Sequence, residues 1–240
     1  MRSNLFITAL FFVGFLSAQE TATPENSESK FRIGVTGSVE YCHRFIYADD
    51  TTGVGAIFNY FRDNEIPDYG FTSGMALSYK INDNFSIEFL PRYSLNHYRT
   101  KDLIFTDVSG VQIGDGYITY SNKFISVPIG VQYHHSSSKL GFVGGAYVVP
   151  EYALGIWSRG YYNLPSTYDI NDEPTKENLP ELRSLMVSGM INAGIEYRTG
   201  KLSIQALPQY KIGFLKQATD VPVNRRLWSA GIEFRVLYSV

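Results

Sequence analysis

The chain has 240 residues, 44% hydrophobic and 15% aromatic but only 18% charged, with 21 Gly, 18 Tyr and 16 Phe against a single Cys. That is chain enough for one large all-β domain with a sizeable buried surface, while one Cys excludes a disulfide framework. A formal charge of -2, balanced rather than basic, argues against nucleic acid as a partner.

Met1 and Arg2 lead into an apolar run over 5–16, then small Ser17 and Ala18 and polar Gln19. This is the pattern of a secretory signal peptide, and it is shorter than the ~20 residues of a spanning helix. The expected signal is 1–18, with cleavage after Ala18. Residues 19–30, Q-E-T-A-T-P-E-N-S-E-S-K, carry no apolar period and read as a solvated periplasmic tether. The remaining 31–240 read as one domain.

From Phe31 onward the recurring period is two, the signature of strands with two unlike faces. Segment one sets Phe31, Ile33, Val35, Val39 and Tyr41 against Arg32, Thr36, Ser38, Glu40 and Cys42. Similar alternation marks 71–80, 85–96, 125–133, 185–198, 202–214 and 228–238. Residues 140–154 form a fifth segment in chain order and alternate least clearly. Short turns near 81, 136 and 200 alternate with long polar connections at about 48–68, 99–117, 157–183 and 216–225. Tight turns on one rim and long loops on the other are the habit of outer-membrane barrels, and an even strand count places both ends of the domain on the short-turn side.

The expected fold is therefore all-β, an eight-stranded antiparallel up-and-down transmembrane β-barrel. Its polar face is rich in Gly, Ser, Thr and Gln, which suit a narrow lumen. Isolated charges stand there at Glu40, Arg44, Lys80, Glu88, Arg92, Glu196, Arg198, Lys211, Glu233 and Arg235. The apolar face is bulky over the ~9 to 11 residues that a tilted strand needs to cross a bilayer. Aromatic residues gather at segment ends, among them Tyr41, Tyr79, Phe85, Tyr93, Tyr133, Tyr197 and Trp228, as interfacial girdles would. A soluble barrel that buries this same face is the alternative. Pro91, Pro128, Pro150 and Pro208 fall inside strands, where proline removes a ladder donor, so bulges or interrupted pairing are expected at each.

K-F-I-S-V-P-I-G-V-Q-Y over 123–133 resembles a proline-bearing strand of PorT-like outer-membrane β-barrel proteins of Gram-negative bacteria. G-M-I-N-A-G-I-E-Y-R-T-G-K-L-S-I-Q-A-L-P-Q-Y over 189–210 is similar to that family's strand, short turn and return strand. Ser229, Gly231, Phe234 and Val236 resemble the C-terminal signal by which such barrels are recognised for insertion, although the chain ends on Val240 rather than an aromatic residue. The resemblance implies an integral outer-membrane barrel surrounded by outer-membrane lipid and lipopolysaccharide and handled by the barrel-insertion machinery. Some members are tied to protein secretion, so an envelope or secretion protein is a further expected partner.

No phosphate loop, His-Glu-x-x-His or zinc-spaced Cys pair is present, and neither a cofactor nor a metal is expected. His134 and His135 read as a solvated turn. His43 and His97 lie near long-loop ends, where a hydrolase would keep a catalytic base. Ser94 and Asp102 flank His97, but no motif joins them. The lumen charges read as ion-paired rungs that plug the barrel, with a polar conduit as the alternative. Phe58, Tyr60 and Phe61, and Trp157, Tyr161 and Tyr162, read either as a loop binding surface or as the upper girdle of extended strands. The functional expectation is a non-enzymatic scaffold or binding protein. A lipid-modifying enzyme and a small-solute channel are the alternatives.

Overall fold

A strand whose faces are bulky-apolar and small-polar cannot satisfy both in one solvent, and a closed ring of such strands resolves the conflict by turning one face outward into lipid. In the computed structural model, which describes residues 29–48, 62–135, 139–165, 173–177, 183–215, 217 and 223–240, most of the described residues are in strands. The elements are β1 (Phe31–Ala48), β2 (Glu65–Lys80), β3 (Phe85–Phe89), β4 (Arg92–Thr100), β5 (Leu103–Thr106) and β6 (Gln112–Ser126). They continue with β7 (Ile129–His135), β8 (Leu140–Asn163), β9 (Thr175–Lys176), β10 (Leu185–Thr199), β11 (Leu202–Gly213) and β12 (Val223–Ser239). The signal segment, nearly all of the tether, and Phe58, Tyr60 and Phe61 lie outside the described residues.

All pairings are antiparallel, and β1 pairs with both β2 and β12, which closes the ring. β3 and β4 are one barrel strand broken at Leu90–Pro91, and β6 and β7 another broken at Val127–Pro128. β5 and β9 are short additions paired to β6 and β8. Eight strands therefore cross the wall: β1, β2, β3/β4, β6/β7, β8, β10, β11 and β12. Both ends of the domain meet at the short-turn rim, where the Val240 amide donates to the Phe31 carbonyl at 3.1 Å.

The prolines mark the breaks. The Pro91 carbonyl accepts from Met75 N–H at 2.9 Å, the Pro128 carbonyl from Leu90 N–H at 3.0 Å, and the Pro150 carbonyl from Val127 N–H at 3.0 Å. Each ring thus leaves a donor missing while its carbonyl still joins the neighbouring strand, and Pro150 stands opposite the break at 127–128. At Pro208 the pairing to β12 continues through Ile232. Towards β10 it lapses between Asn192↔Gln209 and Ile195↔Ala206, where the absent N–H would have bonded.

Burial runs opposite to that of a soluble barrel. Phe234 is 57% exposed and Val35 55%, on the outer wall, while Glu233 and Arg235 are fully buried inside. The soluble alternative is excluded by that inversion. Tyr79, Phe85, Tyr133 and Tyr197 line the short-turn rim of the apolar band, and Tyr41, Tyr69, Tyr93, Tyr152 and Trp228 the other. Among the described residues no helix is long and apolar enough to cross a membrane, so the crossing is made by strands. Two small apolar clusters share the lumen with the charges. Ala76, Leu90, Tyr147, Val149, Met190 and Leu237 form one, and Phe124, Met186 and Leu227 the other.

The strands differ from expectation at the long-loop end. β6 begins at Gln112 and β8 runs to Asn163, so much of the connections expected over 99–117 and 157–183 is paired sheet. Above the apolar band polar and aromatic residues fall on both faces of these strands, so the period-two contrast disappears although the ladder goes on. Trp157, Tyr161 and Tyr162 accordingly sit in β8, in extended strand rather than loop. One extra residue is taken up by a bulge in β8, where Phe124 pairs with Ala153 but Lys123 with Gly155. Gly155 has φ 136°, a conformation open to glycine and strained for other residues.

Candidate functional site

Inward-facing positions follow from strand parity, and the ring brings them together from segments distant in sequence. At the short-turn end Glu196 of β10 is the hub. It accepts from Arg32 at 3.0 Å, from Arg198 at 2.5 and 2.8 Å, from Ser203 at 2.6 Å and from Gln205 at 3.0 Å. His134 of β7 meets it through Nδ1 at 3.1 Å and Ser86 through Nε2 at 2.9 Å. The Arg198 guanidinium, which only donates, lies 3.2 Å from the same Nδ1, so Glu196 and Arg198 make opposite demands on that nitrogen. His134 is 4% exposed, which corrects the expectation of a solvated turn: Gly130, Gln132 and His134 share the inward parity of β7, and the strand continues past them. His135 is the exposed last residue of that strand.

In the middle of the lumen Arg235 of β12 lies fully buried between two carboxylates. Its Nε and Nη2 each donate to Glu233 at 2.9 Å, and Nη1 lies 3.6 Å from Glu88. Tyr147 receives a further bond from Nη1 at 3.3 Å. Thr36 donates to Glu233 at 2.5 Å, Ser86 to Glu88 at 2.6 Å, and Arg92 approaches Glu233 at 3.8 Å. Two-pronged guanidinium–carboxylate geometry is the strong form of such a bond.

Towards the long-loop end Glu40 is held by neutral donors: Ser38 at 2.7 Å, Thr72 at 2.9 Å, Gln209 at 3.0 Å and Ser229. Lys211 pairs with Glu151 at 2.7 Å, and Ser188 donates to the same carboxylate. Arg44 forms a two-pronged pair with Glu65 and lies 4.5 Å over the Tyr98 ring. Of the ten charges named from sequence, nine meet in these tiers. Lys80 instead sits at the short-turn rim, paired with exposed Asp83 at 3.1 Å. Glu65, Glu151, Arg32 and His134 belong to the network as well. Glu65 was hidden by its place in an expected loop, Glu151 by the weak alternation of its segment and His134 by its reading as a turn, whereas Arg32 already stood on the polar face of the first segment.

The remaining named residues separate by face. Ser229 and Gly231 point inward on β12, Ser229 bonded to Glu40, and a Cβ at Gly231 would lie 2.1 Å from the Val39 carbonyl oxygen. Phe234 and Val236 are 57% and 40% exposed on the outer wall. Ser94 is fully buried in the lumen, whereas His97, three residues along β4, has the opposite parity and lines a groove on the outside of the wall. The wall itself separates the pair, and Asp102 is engaged by Arg99 at 3.1 Å. His43 faces outward too, with its ring 6.3 Å from Trp228. Among the described residues no group of His, Cys, Asp and Glu could hold a metal ion.

A family model described as the outer membrane protein beta-barrel domain matches residues 17–213. No curated protein matches the chain. Among solved structures, Neisserial surface protein A is 15% identical, with 87% of this chain and 97% of that chain covered at a TM-score of 0.41. OprG from Pseudomonas aeruginosa is 12% identical, covering 88% and 97% at 0.36. Ail of Yersinia pestis, in complex with the heparin analogue sucrose octasulfate, is 13% identical, covering 86% and 99% at 0.31. A match over most of the chain, together with the closed ring of eight strands and its apolar exterior, places this protein in the outer membrane: the chain belongs to the outer membrane protein β-barrel domain family.

Proposed function

We propose that this protein is a non-conducting, non-enzymatic outer-membrane anchor that holds its outward-rising strands at the cell surface as a binding platform. The observation that carries this reading is the filled lumen, in which Arg235, Glu233, Glu88, Leu90 and Leu237, all fully buried, occupy the middle of an eight-strand ring. A barrel of that width has room for little beyond its own side chains. Reconstitution into planar bilayers tests it: no conductance above background is expected, and stepwise single-channel currents from the refolded wild-type chain would defeat it. Against a catalytic role stands the opposite facing of Ser94 and His97. His97→Ala is accordingly expected to leave the lipid composition of the outer membrane unchanged, as read by mass spectrometry of extracted lipids.

The more specific version is PorT-like participation in secretion or envelope assembly, supported by the resemblance over 123–133 and 189–210. In it, export follows cleavage after Ala18, residues 19–30 form the periplasmic tether, Ser229, Gly231, Phe234 and Val236 are read by the insertion machinery, and the barrel acts as a monomer. Crosslinking from cysteines placed at Ile104 and Val108, on the exposed ribbon above the membrane, is expected to capture an envelope protein in cells. Capture of lipid alone would leave the anchor without its protein partner and remove the secretion version.

A further inference from the structure

The short-turn mouth of the lumen holds a side chain whose proton has more than one place to sit. His134 of β7 is 4% exposed, and four groups meet its two ring nitrogens. Glu196 lies 3.1 Å and Arg198 3.2 Å from Nδ1, while Ser86 lies 2.9 Å and Arg32 3.2 Å from Nε2. Each nitrogen thus faces one group that takes a proton and one guanidinium that can only give one. Ser86 is the acceptor at Nε2 because its own proton is directed to Glu88 at 2.6 Å. Neither neutral tautomer serves all four neighbours: a proton on Nδ1 suits Glu196 and Arg32, and a proton on Nε2 suits Ser86 and Arg198. A ring protonated at both nitrogens serves Glu196 and Ser86 and opposes both arginines.

The two arginines are not held alike. Arg32 donates to Glu196 Oε1 and to Ser78, both at 3.0 Å, and its side chain is 11% exposed. Arg198 directs Nε and Nη2 to Glu196 Oε2, the same oxygen that His134 Nδ1 approaches. A carboxylate oxygen has two lone pairs for these three donors. The Arg198 side chain is 34% exposed, so water can hydrate its guanidinium when it leaves, whereas the buried ring has no such exchange. Glu88 of β3 reaches the ring through Ser86. Lys80 of β2 pairs with Asp83, and Lys139, whose carbonyl accepts from the Arg198 amide at 2.7 Å, is exposed on the rim. The remaining strands around the hub set uncharged groups beside it: Ser78 of β2, Val143 of β8, and Ser203 and Gln205 of β11.

We infer that His134 is a proton-operated latch: uptake of a second proton by the ring displaces Arg198 from Glu196 and swings that guanidinium out of the mouth, onto the rim beside Lys139. Only hydrogen bonds are exchanged. One cation replaces another on Glu196, so the mouth keeps its charge balance while the rim gains a guanidinium. Histidine is the side chain suited to such a step, since its charge ordinarily changes between pH 5 and 8. The latch goes beyond the anchoring role and does not depend on it. Arg235, Leu90 and Leu237 fill the lumen beyond it in either state, so the bilayer recordings above and the test below fail separately.

The test uses the full mature chain refolded in nanodiscs, with arginine and histidine labelled with nitrogen-15 and spectra recorded at pH 8 and pH 5. The Arg198 side-chain signal is assigned by its loss in Arg198→Gln, and the His134 signals by their loss in His134→Gln. At pH 5 both ring nitrogens of His134 are expected to carry protons. The Arg198 Nε–H is then expected to lose about tenfold or more of its protection from exchange, relative to an unstructured arginine at the same pH, while Arg32 keeps its own. In His134→Gln, with a closed barrel verified by its heat-modifiable electrophoretic shift, Arg198 is expected to be equally protected at both pH values. A His134 nitrogen that stays bare at pH 5, or equal protection of Arg198 at both pH values in the wild-type chain, overturns the proposal without recourse to any variant. Loss of Arg198 protection that persists in His134→Gln overturns it too, and assigns the proton to Glu196. Joint release of Arg32 and Arg198 would replace the latch with an opening of the whole hub.

Discussion

Arg235 shows what a single side chain does in this lumen. Its guanidinium is fully buried with Glu233 and Glu88 around it, so its removal strands two carboxylates away from water. Arg235→Met is expected to cost about 3 to 5 kcal/mol, the usual penalty for leaving a buried charge without its partner. Equilibrium unfolding in urea from lipid vesicles reads the change. Lys211 and Glu151 offer the complementary case, because removing both ends of the pair removes both burial costs. The double variant Lys211→Met with Glu151→Gln is expected to be more stable than the sum of the single changes allows, with a coupling of about 0.5 to 3 kcal/mol. Additive effects would mean that the two charges do not depend on each other.

At the scale of the element, β8 is the strand on which the most is built. It pairs with β7 and β6 on one side and β10 on the other, and its bulge shifts the outward residues so that Trp157 falls next to Ser121 and in reach of Lys123. Gly155→Ala at φ 136° is expected to destabilise the barrel by about 1 to 3 kcal/mol and to shift Trp157 emission, since the new methyl group meets that ring. An unchanged spectrum and unfolding midpoint would mean that the bulge relaxes without involving the groove. The prolines belong to this scale too. Each was visible in the sequence as an offence against a ladder, and each break is accommodated differently: two split a strand, one faces a split, and one loses pairing on a single side.

The whole molecule is governed by the solvent around it. A charge at the height of Val35, midway along the apolar face of β1, must enter the hydrocarbon, whereas one at Ile104 on β5 stands on the ribbon above it. Val35→Arg is expected to cost about 2 to 4 kcal/mol, and Ile104→Arg about 0 to 1 kcal/mol. Equal costs at the two sites would place the membrane elsewhere on the wall.

Period-two contrast was enough to determine the strand number, the closure and which face is wet, because bilayer and lumen impose opposite demands on alternate residues. The same contrast fades where both faces meet water, which is why β6 and β8 proved longer than their patterns and why Trp157, Tyr161 and Tyr162 belong to strand. Most of the lumen charges were legible as inward residues from parity alone. Their partners were not: Glu196 finds His134 and Arg32, and Arg235 finds Glu88, across strands separated by long stretches of chain. Register and shear decide those meetings, and they are set by the closing of the ring rather than by any segment. The groove on the outer wall likewise exists only because the bulge at Gly155 and the pairing of β4, β6 and β8 bring Lys123, Arg99, Arg159, Trp157, Tyr117 and Tyr161 from separate segments onto one face.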